Sequence, residues 1–502
     1  MNNFKKAFIF GFMGWLALAG FSVAEYPGIL NKTCYWQLSF LFCSPQLGVT
    51  QKIILFLIFF LVSVFFTIYG LITWRLITSG NDIKLGKWPS VALIAGSLML
   101  AAMVVAIGSG DMDYYYNSSK AMVAGKNIYA QDWTLINEMS YSSEELPQKG
   151  FSYGPVTASL FKVVYKLSHN INVFVIIWKS VVILFLCLCA WLVVKLAKSY
   201  NLAFKEKDLY LFWFLQPLLL FEVVVNGHFD LIWLFFVLAT LWLVRRKYWF
   251  LAIPCFAIGI WIKFIPLLVA PWFVLWWWQE TNKSNWLKQV AQLISGLLLG
   301  AILTTLFWAP YWTGWSSFKS LAVQSKWVVS SLFGLVYYSL SPLFKWFLAD
   351  QAHWYLTRLV HFALLVVAIY FLYPYLKKVI LVLLKREHWD DFDFYQAMFI
   401  SLLVYLFIWQ KSFWPWYIIW LMPIGLLLYL KHRNIFLRRI LVWISLAPLI
   451  IYPVSFFVWQ MSGVYATDYL WFYYFYVPVV SAYPLFNIIK WRKTGYQAKI
   501  IL

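Results

Sequence analysis

The chain reads as an all-α polytopic membrane protein, and three observations predict this. Of its 502 residues, 63% are hydrophobic and only 12% are charged, about half the charged share of a soluble globular domain. Apolar runs of about 20 residues, the length of a bilayer-crossing helix, recur along the chain. Trp and Tyr crowd at the ends of these runs in a sequence that is 22% aromatic, as membrane-interface belts require. Lipid offers backbone groups no partner, so such runs have to bond within themselves as helices.

In chain order the runs fall near 7–24, 52–74, 89–107, 172–194, 209–225, 230–244, 248–262, 264–278, 289–308, 354–374, 394–409, 415–430, 440–459 and 469–489. They predict about 14 transmembrane helices. The first also has the order of a signal peptide: Lys5-Lys6, an apolar run, then Ser22-Val23-Ala24. Numbering the connections alternately from an inner N-terminus collects 26 of the 40 basic residues on the inner side, including Arg75, Lys195, Arg245, Arg246, Lys377, Lys378, Arg438 and Arg439. The positive-inside rule then reads the net charge of +21 as topology rather than as nucleic-acid binding. Both termini are expected inside. The longest non-spanning stretches, 108–170 and 309–353, are expected outside, where the work of the protein is expected too. Three regions follow: a transmembrane hairpin with its inner connection at 1–88, a core at 89–430 carrying both outer loops, and a terminal transmembrane pair with a cytoplasmic tail at 431–502. No internal repeat stands out.

Five cysteines occur. Cys34 and Cys43 share the first outer connection and either pair there or stay free thiols; Cys187, Cys189 and Cys255 sit in spans as small apolar packing residues. Asn31-Lys32-Thr33 and Asn117-Ser118-Ser119 are glycosylation sequons in a compartment with that machinery.

Six of the 19 carboxylates lie between Asp111 and Glu145, in the first long outer loop. Asp111 follows directly on an apolar run, with Gly108 and Gly110 turning the chain out of the helix. On a helix Asp111 and Asp113 diverge by about 200°, so one faces a substrate while the other organises the loop or holds a divalent cation. Tyr115, Ser118 or Ser119, Met122 and Val123 recur at helical intervals, and Gly125 ends the helix so formed. Further on, Asn226-Gly227-His228-Phe229-Asp230 is a tight turn between spans, where His228 and Asp230 either bond a polar ligand, steady Lys263 or simply serve the turn. Lys263 closes a span on the outer side, where an ammonium either snorkels or binds a phosphate. Trp414, Trp416 and Tyr417, following Lys411, form an aromatic stretch that is either belt or an apolar face for a ligand. Glu222 and Lys179 fall within spans, where an ionisable group has to be paired or functional. The patch Glu387, His388, Asp390, Asp391 and Asp393 has no ligand spacing and reads as a solvated inner loop.

Asp111, the Tyr114–Tyr116 aromatics, Gly125 fourteen residues on, Tyr129 and Tyr153-Gly154-Pro155 resemble the first outer loop of GT-C fold glycosyltransferases. The likeness is greatest to polyprenyl-phosphate-mannose-dependent mannosyltransferases, including the DUF2029-type bacterial alpha-mannosyltransferases and the catalytic subunit of GPI mannosyltransferase I. Asn226–Asp230, Lys263-Phe264-Ile265-Pro266-Leu267-Leu268 and Trp414-Pro415-Trp416-Tyr417 extend it across roughly 89–430. Asn127-Ile128-Tyr129 departs from the Pro-Tyr pair that these families carry after the glycine.

The resemblance implies a GT-C fold and a catalytic Asp111. It implies sugar transfer, most often of mannose, from a polyprenyl-phosphate donor to a glycolipid or glycan acceptor on the non-cytoplasmic side. Asp113, Tyr115, Tyr153, His228, Asp230, Lys263, Lys411, Trp414 and Trp416 are then the substrate-binding candidates. No protein-bound metal and no cofactor are expected, beyond the divalent cation that Asp111 and Asp113 leave room for. Such an enzyme resides in the cell membrane of a bacterium or the endoplasmic reticulum membrane of a eukaryote. A secondary transporter or lipid flippase is the alternative that the same composition allows.

Overall fold

The computed structural model describes residues 111–130, 134–135, 148–149, 151–214, 216–281, 286–315, 317–318, 328–348, 351–384, 386–451, 454 and 470–500. The expected spans at 7–24, 52–74 and 89–107 and the Cys34/Cys43 pair lie outside the described residues, as does the side chain of Asp113.

Helix α1 (Asp111–Val123) opens the described chain, followed by a two-residue antiparallel ribbon, β1 (Thr134–Leu135) with β2 (Gln148–Lys149), in register Thr134 to Lys149. Next come α2 (Pro155–Leu167), α3 (Ile171–Ser199), α4 (Glu206–Phe214) and the short α5 (Pro217–Leu219), which widens into a π-turn at Leu220–Val225. Helices α6 (Asp230–Arg245), α7 (Trp249–Ile262), α8 (Ala270–Thr281) and α9 (Trp286–Trp308) follow. The remainder comprises α10 (Leu332–Leu348), α11 (Ala352–Leu383), α12 (Asp391–Val404) with a π-turn at Tyr405–Trp409, α13 (Met422–His432), α14 (Ile435–Leu446), α15 (Leu470–Val477) and α16 (Tyr483–Ile500).

Five of the described helical segments are long and apolar enough to cross a membrane: Ile171–Ser199, Trp286–Trp308, Ala352–Leu383, Asp391–Trp409 and Leu470–Arg492. The chain is a helical membrane protein. Several predicted spans are not continuous α-helix, for a local reason. Pro217 divides the run at 209–225, and Pro266 starts a 3-10 turn (Ile265–Leu268) inside 264–278. Pro415 opens another 3-10 stretch (Pro415–Leu421) ahead of α13. Proline lacks the amide hydrogen that helix continuation requires. The stretch 309–353, read from the sequence as an outer loop, contains the 17-residue apolar helix α10.

Helix α6 packs between α3 and α7, α7 lies along α9, α10 pairs with α11, and α14 with α16. Gly296 and Gly300, one turn apart on α9, face Ile253 and Ala257 of α7; a Cβ on Gly296 would come within 2.9 Å of the Ile253 side chain. Small residues at this spacing let two helices approach where lipid supplies no hydrophobic drive between them.

Basic residues gather at the end of the bundle opposite Asp111. Arg245 reaches Asp391 at 3.4 Å, Lys378 lies 3.6 Å from Glu387 and 3.8 Å from Asp393, and Lys247 lies 3.3 Å from Glu280. The acidic patch thus serves as partner to these cations. Asp390 caps α12, its side chain accepting from the Asp393 amide while Asp393 accepts from the Asp390 amide. Deeper in, Gln279 of α8 donates to the Trp389 carbonyl (2.7 Å) and accepts from the Trp389 amide (2.8 Å). Gln279→Leu should leave both buried backbone groups unpaired at about 1–3 kcal/mol each, lowering the thermal unfolding midpoint of the detergent-solubilised protein.

Candidate active site

Three chain segments converge on Asp111. The first is α1 itself. Tyr115, Ser118, Ser119 and Met122 are buried while Val123 is exposed, so the sequence's helical spacing describes the inner face as far as Met122. Gly125 ends the helix at φ +81°, with the Lys126 amide donating to the Ala121 carbonyl and the Gly125 amide to that of Met122, the paired bonds of a Schellman cap. Asn127 then accepts the Tyr129 amide and donates to the Tyr311 carbonyl. The side chain that departs from the family's Pro-Tyr pair therefore makes its own turn. Tyr115 stacks on Phe161 at 4.5 Å and meets Trp178 and Phe229 edge-on, fixing the first turn of α1 and with it Asp111.

The second segment is Tyr153-Gly154-Pro155. The Gly154 amide donates to the Ile262 carbonyl, and a Cβ there would fall 2.0 Å from the Trp261 carbonyl oxygen. Only glycine lets this strand lie against the end of α7. Tyr153, whose carbonyl accepts from the Tyr129 hydroxyl, presents its ring to Phe229 at 4.8 Å.

The third is Asn226–Asp230, which leaves the π-turn. Gly227 adopts φ +71° with Met112 and the Lys179 stem against it, and its carbonyl accepts from the Trp178 indole. The Asn226 side chain donates to Glu222 Oε2 at 3.0 Å. The His228 Nδ1 atom lies 3.5 Å from Asp111 Oδ2, and its Nε2 lies 3.5 Å from Glu222 Oε2. Its ring stacks on Trp416 (3.9 Å, 19°), which stacks in turn on Trp414 (5.0 Å, 10°). Burial, reinforced by the charge of Lys263, holds the His228 pKa well below its ordinary value, so the ring is neutral.

Beside this lies a buried ion pair. Asp230 Oδ1 accepts from Lys263 Nζ at 2.7 Å and from the Trp420 indole at 2.6 Å, with Trp233 at 3.4 Å. The rings of Tyr417, Trp420, Phe229 and Tyr153 surround the ammonium at 4.9–6.0 Å. Of the two roles the sequence offers Asp230, steadying Lys263 is the one the geometry realises.

Asp111 keeps 37% of its side-chain surface open. Its pKa is raised to about 6, chiefly by loss of solvation; the charge of Lys263 and the Tyr115 hydroxyl, 3.4 Å away, pull it down. A carboxyl so tuned is ionised near neutrality yet more basic than an ordinary aspartate.

Asp111, Tyr115, Tyr153, His228, Asp230, Lys263 and Trp416 thus meet in one cluster, with Trp414 behind Trp416. Lys411 sits further along, where its carbonyl accepts from Val329 and Ser331 and its ammonium lies over Phe333 at 5.2 Å. Sequence reasoning found Glu222 without its partners and gave Trp420 no role. A buried indole needs an acceptor, and that requirement is the signal Trp420 offered. Among the described residues, no group of three or more His, Cys, Asp or Glu is placed to hold a metal.

A family model described as alpha-(1->6)-mannopyranosyltransferase (MptA/B family), N-terminal domain, matches residues 9–280, more than half the chain. The chain belongs to this family. It is a mannosyltransferase of the GT-C type, and therefore an enzyme rather than the transporter or flippase that its composition also allowed. The match takes in α1, the Asn226–Asp230 turn and Lys263, and ends before Trp416 and Trp420. A comparison with curated proteins finds no match.

In this mannosyltransferase, Lys263→Met should strand the Asp230 carboxylate and cost about 3–5 kcal/mol. Adding Asp230→Asn should recover most of that loss. Thermal melts of the two single variants and the double variant in detergent check this.

Proposed function

We propose that the enzyme takes mannose from a polyprenyl-phosphate carrier and passes it to a glycan or glycolipid hydroxyl on the non-cytoplasmic face, with Asp111 as general base and inversion at the anomeric carbon. The observation that carries this reading is the partly open Asp111 carboxylate, its pKa raised to about 6, beside aromatic rings and a buried cation. A lipid donor keeps its isoprenoid tail in the bilayer, so its sugar-phosphate arrives at headgroup depth, where a membrane enzyme can present a base. The gathering of basic residues at the opposite end of the bundle supports placing Asp111 outside.

In the proposed step Asp111 takes the acceptor's hydroxyl proton as that oxygen attacks C1. The bond from C1 to the phosphate oxygen breaks with its electron pair, and polyprenyl phosphate leaves without needing protonation. A beta-linked donor gives an alpha product. Lys263, committed to Asp230, acts through its field on both Asp111 and the departing phosphate; Lys411 adds a second positive charge on the connection that carries Trp414. Trp414, Trp416 and Tyr153 form the wall against which sugar and lipid lie. The linkage in the family's description points to a 6-hydroxyl as acceptor.

Proteoliposomes given radiolabelled polyprenyl-phosphate mannose and a mannan oligosaccharide should incorporate label. Asp111→Asn should lower kcat about 10²–10⁴-fold at unchanged protein level. Because the base works only when ionised, kcat/KM should rise about tenfold per pH unit below pH 6 and level off above it. Unchanged transfer by Asp111→Asn, or labelling of a cysteine placed at Lys126 only from the cytoplasmic side, would reject the reading.

A further inference from the structure

Three groups form a line that the proposed transfer does not use in full. His228 stands between Asp111 and Glu222 with one ring nitrogen 3.5 Å from each carboxylate, and its buried Nε2 forms no hydrogen bond, leaving Glu222 as the group it faces. Its side chain is 2% exposed and that of Glu222 fully buried. The line is held from all sides. The stack on Trp416 sets the plane of the ring, the His228 amide donates to the Glu222 carbonyl, and Asn226 donates to the same Glu222 oxygen that faces the imidazole. Glu222 lies within the π-turn Leu220–Val225, and π-turns inside helices concentrate at functional sites. A buried carboxylate at such a place calls for a structural or chemical reason.

A neutral imidazole has one donor and one acceptor nitrogen. Placing the hydrogen on Nε2, the nitrogen that faces Glu222, turns the Nδ1 lone pair to Asp111. We infer that His228 and Glu222 form a relay that receives the proton Asp111 takes from the acceptor hydroxyl. This rests on the reading of Asp111 as the base. Once Asp111 is protonated, its O–H bond breaks as Nδ1–H forms. The Nε2–H bond breaks as Glu222 Oε2–H forms, and Asp111 is returned to its carboxylate with no proton gained or lost by the trio. After product leaves, the same steps reversed deliver the proton through Asp111 to solvent, which reaches its open face. His228 and Glu222 are thus positioning residues that act through Asp111.

Other charged and titratable groups surround the line. Tyr115 of α1 approaches Asp111, Lys263 and Asp230 act on it through space, the Lys179 stem of α3 lies against the Gly227 turn, and Tyr476 of α15 is close enough to Glu222 to feel its charge. All of them are retained in the variants that test the relay. A neutral resting imidazole, as burial dictates here, suits a relay that carries charge only in passing.

Glu222→Gln keeps the shape of the side chain but cannot take a proton, and its amide can donate to Nε2, which turns Nδ1–H toward Asp111 and weakens the base. The expected result is a kcat about tenfold lower with KM unchanged, and a pH–rate midpoint moved toward acid by about one unit. His228→Phe, which preserves the stack on Trp416, should lower kcat similarly, and adding Glu222→Gln to it should have no further effect. A wild-type kcat and midpoint in Glu222→Gln, or additive losses in the double variant, would overturn the relay. Should His228→Phe fail to fold, the isosteric Glu222→Gln decides by itself. The base assignment stands or falls separately: Asp111→Asn inactive with Glu222→Gln unaffected removes only the relay, whereas active Asp111→Asn removes both.

Discussion

The Lys263–Asp230 pair holds the site together. Its two charges come from the start of α6 and the residue following α7, and Trp420 ties in the 3-10 stretch before α13. Charges taken this far from water are costly unless their remaining bonding capacity is met. Here two indole N–H groups join the ammonium on Asp230 Oδ1, and four aromatic faces surround the ammonium. The pair therefore fixes the relative position of three segments distant in sequence, and its net positive end adjusts the basicity of Asp111 from a distance. A phosphate-binding lysine would have done the second task without the first.

Backbone irregularity is concentrated beside the site. The π-turn at Leu220–Val225 feeds the Asn226–Asp230 turn, and the one at Tyr405–Trp409 feeds the connection carrying Lys411, Trp414 and Trp416. Each widened turn rotates the chain leaving it relative to a regular helix, so the His228 and Trp416 rings can meet face to face. Proline does comparable work at Pro266 and Pro415, ending regular helix where side chains have to be aimed. Irregular backbone is tolerated at membrane depth when it is enclosed by protein or lines a cavity, and the aromatic packing around Tyr115, Phe161, Trp178 and Phe229 provides that enclosure.

Much of this was legible from residue order. Hydropathy alone marks α3, α6, α7, α9 and α12 within about five residues, because each is a single apolar run bounded by charge or aromatic residues, whereas α11 continues nine residues past the expected 354–374. The helix at Asp111–Val123 follows from the spacing of Tyr115, Ser119 and Met122 and from Gly125. Helix α10 was absorbed into a long connection because its apolar run is short for a span and is interrupted by Pro342 and Lys345. Two groups beside Glu222 lie four and six residues ahead: Asn226 stands at the ordinary helical spacing, whereas His228 meets it through a π-turn that no regular period anticipates.

Composition, apolar run length and the placing of Lys and Arg by themselves determined that this is a helical membrane protein, and the Asp111–Gly125–Tyr153 order pointed to the sugar-transfer chemistry its family bears out. These are properties of single segments, set by local solvation and local spacing. Which lysine is committed to which carboxylate, and which ring faces His228, only the tertiary structure decided. Those contacts join residues 33 to 190 positions apart, and their geometry depends on how helices cross and where turns widen, which no one segment encodes.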